Sequence, residues 1–135
     1  MSCPIADLGC IDPELIPRLK SLGIRTSDKL LDAAKSLRGR KTLSEKTGID
    51  EQSLLRLANK IDRMRVKGIG QDYADLLQLA SVDTVRELKY RNPKRLAEAM
   101  AEANAKRKLV RVLPSELTVG RWIEHAKKLP LKITY

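Results

Sequence analysis

Helix caps punctuate this chain from Asp12 to Asn92, and runs that alternate apolar with polar residues stay short. That pairing leaves an all-α fold as the one class open to it. Asp12 caps a first helix with Pro13 at its opening position, Pro17 loosens it, and Gly23 closes it. Thr26 or Ser27 starts a second helix reaching about Leu37. Thr42 and Glu45 have capping-box spacing ahead of a short third helix that Gly48 ends, with a basic loop of Arg38, Arg40 and Lys41 around Gly39 before it. Asp50 opens a fourth over 51–64, where Leu54, Ala58 and Ile61 share a face. Further helices are expected over 71–80, over 84–91, from Asn92-Pro93 to about Lys108, and around Val119, Trp122, Ile123, Ala126 and Leu129 before Pro130.

The chain also repeats itself. Residues 10–31 slide onto 68–89 with Ile11/Ile69, Leu19/Leu77, Thr26/Thr84 and Leu30/Leu88 identical, and with apolar character kept between them. Two related helical units follow, 8–65 and 66–130.

One stretch carries recognisable chemistry: Val66-Lys67-Gly68-Ile69-Gly70-Gln71-Asp72-Tyr73-Ala74. Glycines allow positive φ and let another backbone come close without a Cβ in the way. The first amides of the helix after Gly70 lack intrahelical acceptors and favour an anion. Ile69 should turn inward, and Ala74 and Leu77 should pack the two helices together. A Gly-x-Gly between helices, with Ala74 four residues on, resembles the helix-hairpin-helix motif. Over nearly its whole length the chain resembles an uncharacterised bacterial family of tandem helix-hairpin-helix proteins, domain of unknown function 4332. The resemblance implies two helix-hairpin-helix-like units sharing one compact core, a SAM-like helical bundle. By analogy with DNA repair and recombination proteins it implies a hairpin that holds a phosphate and is blind to base sequence. The first copy departs from the motif: Cys10-Ile11-Asp12-Pro13 sets a carboxylate where the phosphate would sit and removes one donor.

The charge agrees with a polyanionic partner. Lys and Arg outnumber Asp and Glu by 27 to 17, a net +10, which favours nucleic acid first. The excess flanks the hairpin: nine bases against four acids in 38–67, and ten against four in 92–135. The phosphate-binding set expected is therefore Lys67, Gly68, Ile69, Gly70, Gln71 and Tyr73 in the hairpin, Lys60 (with Arg56 and Arg63 on the same stripe), and Lys94 and Arg95. Tyr73 is either the apolar lip of the hairpin or a hydroxyl donor to phosphate. The denser run Lys106-Arg107-Lys108 with Arg111 is a further candidate. The expected partner is duplex or branched DNA, with a protein-interaction adaptor as the alternative reading.

Other chemistries are poorly provided for. One Trp, three Tyr and no Phe give no stacking platform for single strands. Two Cys and one His fall short of a structural zinc site. Cys3 and Cys10 suggest reduced thiols in a cytoplasmic protein, with Cys3 in a mobile tail, and no apolar run approaches a membrane span. His125 has no catalytic motif around it. Asp72 and Tyr90 stand where helix-hairpin-helix glycosylases carry their Lys and Asp, so neither catalysis nor a cofactor is expected.

Overall fold

A computed structural model describes residues 2–135. Among the described residues there are eight α-helices, two 3-10 turns and no strand beyond an isolated bridge between Pro4 and Thr26, so the chain is all-α. None of these helices is long and apolar enough to cross a membrane. The chain divides into two compact units: one runs up to Ile61 and includes Lys132–Tyr135, the other is Asp62–Leu131.

The first unit opens on a 3-10 turn, Ile5–Leu8, whose Ile5 and Leu8 are buried. Cys3 is not in a mobile tail. Its carbonyl accepts from Ser27 N at 2.7 Å and its amide donates to Ser27 Oγ at 3.0 Å. Cys3 and Cys10 are both free thiols. Asp12 caps a 3-10 turn, Pro13–Leu15, and only then does α1, Ile16–Ser21, begin. Pro17 explains the delay, since it has no N–H to donate back into the first turn.

Thr26 caps α2, Ser27–Ala34. Helix α3 spans Leu37–Thr47 and starts earlier than the Thr42/Glu45 spacing suggests, because Ser36 Oγ accepts from Gly39 N at 2.9 Å. The expected basic loop is therefore helix. A Cβ on Gly39 would stand 2.3 Å from the Ala33 carbonyl oxygen, so glycine permits the tight join of α2 and α3. Arg40 is buried, with Nη1 donating to Ala34 O at 2.9 Å and Nη2 to Thr134 O at 2.7 Å. Thr134 N donates to Lys35 O at 2.8 Å and Tyr135 Oη to Asn59 Oδ1 at 3.0 Å, so the last residues strap this unit.

Helix α4, Glu51–Met64, buries Leu54, Ala58 and Ile61 on one stripe. It also buries Asn59, Lys60, Asp62 and Arg63, which overturns the expectation of a basic solvent face at Lys60 and Arg63. Arg56 alone of that trio is exposed.

The second unit contains α5 (Gln71–Leu79), α6 (Val85–Leu88), α7 (Pro93–Arg107) and α8 (Glu116–Lys128). Helix α6 is shorter than expected because the chain turns through Tyr90 and Arg91 to reach the Asn92 cap of α7. Helices α7 and α8 pack together, α5 lies against α7, and α6 against α8. Between them lies a core that includes Val66, Ile69, Leu77, Leu88, Leu96, Met100 and Trp122. Arg63, only 2% exposed, donates from Nε to Ala74 O at 3.1 Å and from Nη1 to Asp83 O at 2.6 Å. Burial pushes this guanidinium below its ordinary pKa, and Asp83, Asp75, Asp62 and Glu87 counter the push.

Matching hydrogen bonds recur in the two units. Ile24 N donates to Leu19 O at 3.0 Å as Val82 N does to Leu77 O at 2.8 Å. Gly23 N donates to Lys20 O as Ser81 N does to Gln78 O, both at 3.0 Å, with positive φ at Gly23 (82°) and Ser81 (71°). Thr26 and Thr84 then cap the next helix identically, accepting from Lys29 N and Glu87 N.

Arg63→Ala is expected to lower stability by about 3 kcal/mol or more, since it removes two buried bonds from a charged donor worth roughly 1.5–3 kcal/mol each. Arg63→Lys should recover less than half of this, because one ammonium cannot reproduce the guanidinium fork. Arg56→Ala should stay within about 0.5 kcal/mol. Guanidinium denaturation of the three variants checks the ranking.

Candidate functional site

The hairpin begins where α4 unwinds. Arg65 N donates to Asp62 O at 3.1 Å, Val66 N to Arg63 O at 3.2 Å, and Ile69 N to Val66 O at 3.0 Å. Arg65 pairs with Asp62 and reaches Pro130 O at 3.1 Å. Val66 and Ile69 are buried, which pins the turn from inside. The turn then passes directly into α5, with Gly70 as the N-cap residue and no side chain capping the helix. The amides of Asp72 and Tyr73, in the first turn of α5, are thus left to water or to a ligand.

The two glycines do different jobs. Gly68 has φ +95°, and a Cβ there would stand 3.0 Å from Trp122 Nε1. Its missing side chain makes room for the indole. Gly70 has φ −89° and ψ −168°, extended backbone open to any residue, and a Cβ there would meet nothing within 4 Å. The fold does not require glycine at this position.

The remaining expected residues sort by where their polar atoms go. Lys67 is exposed, and its amide donates to His125 Nδ1 at 2.8 Å. Lys94 and Arg95 are exposed in the first turn of α7. Gln71 is half-buried and bonded within the protein. Ile69 contributes only an anchor. Tyr73 stacks at a tilt on Trp122, ring centroids 5.3 Å apart, and its hydroxyl donates to Val112 O at 2.8 Å. That bond and that packing make it part of the wall, and its hydroxyl proton is already committed. Lys60 is buried, its Nζ 3.4 Å from Leu8 O and 3.8 Å from Cys10 Sγ. Drawn inward to these acceptors, Lys60 drops out of the phosphate-binding set.

Two grooves flank the turn within the second unit. One, of about 830 Å³, is lined by Gly68, Gly70, Gln71, Asp72 and Tyr73 against Leu109–Val112, and includes Arg111. Its far wall is held by Asn104, whose side chain donates to Val110 O and accepts from Val110 N, both at 3.0 Å. The other, of about 1170 Å³, brings Lys67 and Gly68 together with Pro93 and with Arg121, Trp122, His125 and Lys128 of α8. Asp75, an acid close to the hairpin in sequence, acts on the buried Arg63 guanidinium. Asp72 stays exposed in the first turn of α5.

Arg121, His125 and Lys128 were missed by the sequence reading, although a signal existed. They recur at i, i+4 and i+7 on α8, beside the apolar stripe that defined that helix.

With this geometry in view, a family model described as "Domain of unknown function (DUF4332)" matches residues 9–129. The chain belongs to this family. No curated protein and no solved structure matches it. The DUF4332 designation carries no activity, so the residues have to supply one.

The unequal glycines give a stability test. Gly68→Ala should cost about 1 kcal/mol or more, from positive φ and from crowding of the indole. Gly70→Ser should leave stability unchanged or raise it by a few tenths of a kcal/mol, since serine caps slightly better than glycine. Thermal melts of both variants check the contrast.

Proposed function

We propose that this chain binds duplex or branched DNA without regard to base sequence, in the manner of a helix-hairpin-helix protein. The Lys67–Gln71 turn holds one backbone phosphate in this reading, and the exposed Lys94 and Arg95 add charge near the groove that Pro93 lines. Gly70 carries the argument. The fold itself does not ask for glycine there, and the space its Cβ would fill lies over the uncapped start of α5. A phosphate oxygen approaching those amides needs that space. The net charge of +10 supports the same partner. The reading involves no catalytic step and no cofactor, and it places the protein in the cytoplasm with the DNA.

The alternative is a protein-interaction adaptor. One observation favours it: Val112, Leu113 and Leu117 are exposed within six residues, at 71%, 44% and 66%.

Fluorescence anisotropy with random duplex across salt concentrations separates the two. Affinity is expected to be micromolar or weaker at physiological salt, with a log–log salt slope of roughly −3 to −5 for about 3–5 phosphate contacts. Gly70→Ser should bind about fivefold more weakly while melting no lower than the parent, the loss of about one phosphate hydrogen bond. Lys67→Ala should weaken every sequence alike and reduce the magnitude of the slope by roughly one. Folded variants that bind like the parent would reduce the hairpin to a connector. No binding at low salt would put the adaptor in front.

A further inference from the structure

The larger groove holds more donors than the fold uses. Trp122 is 98% buried by its 2% exposure, yet its indole N–H donates to no protein acceptor. No buried side-chain nitrogen or oxygen lacks a partner among the described residues, so this Nε1 is not sealed in; it opens beside Gly68 on the groove that both residues line. His125 lines the same groove. Its Nδ1 accepts the Lys67 N–H at 2.8 Å, so the neutral ring carries its proton on Nε2, where it too has no protein acceptor. Lys67, Arg121 and Lys128 complete the lining with three cations, none tied to a carboxylate.

Two acids share the groove. Glu124 is paired with Lys127 at 3.1 Å, and Glu116 lies in the first turn of α8, where the helix dipole offsets its charge. The balance remains positive, and it is concentrated around one nearly buried, unpartnered N–H.

We propose that this groove is a second phosphate-binding site. The Trp122 and His125 N–H groups are its directional donors, and Lys67, Arg121 and Lys128 supply its charge. A single carboxylate would leave most of these donors idle, whereas a phosphate has oxygens enough to engage several at once. The phosphate can come from a nucleic-acid backbone or from a free polyphosphate. The site shares Lys67, Gly68 and the Pro93 side of its groove with the hairpin reading, while its Trp122, His125, Arg121 and Lys128 groups belong to it alone.

Trp122 is the one tryptophan of the chain, so it gives a single indole N–H signal in a nitrogen–proton correlation spectrum. The full chain is titrated at low salt with inorganic tripolyphosphate and, separately, with random duplex DNA. The expected result is a saturable shift of the indole signal. The dissociation constant for tripolyphosphate should rise roughly fivefold or more in Arg121→Ala and Lys128→Ala, and stay unchanged in Lys20→Ala, which removes an exposed charge from the first unit. A shift with only one probe identifies the source of the phosphate. An indole signal that neither probe moves overturns the proposal, as does one that moves equally in the parent and in the two α8 variants. Duplex binding with an indole that neither probe moves removes this site and leaves the hairpin reading intact. An indole that follows tripolyphosphate in a protein that binds no duplex does the reverse.

Discussion

A guanidinium without water fixes the end of α4. Arg63 gives its Nε to a carbonyl in α5 and its Nη1 to the carbonyl of Asp83, just before the Thr84 cap of α6. Burying such a cation costs several kcal/mol unless its donors are met and its charge opposed. Here the carbonyls meet the donors, and Asp83, Asp75 and Asp62 oppose the charge. Three chain segments are thereby held to one planar group. The turn between α4 and α5 has little freedom left, and the direction in which its amides point follows from an almost wholly buried residue.

The two units agree in their turns and differ at the start of one helix. Their turn hydrogen bonds and threonine caps agree, so the scaffold is common to both. At the helix start they part. Asp12 Oδ1 accepts from Glu14 N at 3.1 Å and Pro13 has no amide proton, so the first copy satisfies its own terminus. The second has Gly70 and Gln71 at those positions and no side-chain cap. One terminus is capped by its own carboxylate, and the other has no side-chain cap.

Caps were the most legible part of the sequence. Thr26 and Asn92 each start a helix where their side chains predict it. The start of α3 was misplaced because two capping signals compete within a few residues, and only the packing of Gly39 on α2 decides between them. Ile5–Leu8 spans one turn, too short for any period to show. The larger error concerned Arg40, Lys60 and Arg63. A basic residue at helical spacing looks the same in sequence whether it faces water or reaches a buried carbonyl, since the acceptors are main-chain atoms with no sequence signature. For the same reason the Lys67–His125 contact was invisible: it joins a side chain to an amide from a distant element.

Residues 132–135 belong with the first unit, whereas 62–131 form the second. The second unit is thus an insertion in the sequence of the first, and synthesis order matters. A ribosome delivers every residue of the second unit before the Thr134 carbonyl that Arg40 binds. The unit that begins first is the one that is finished last, and until then the buried Arg40 guanidinium lacks one of its two acceptors.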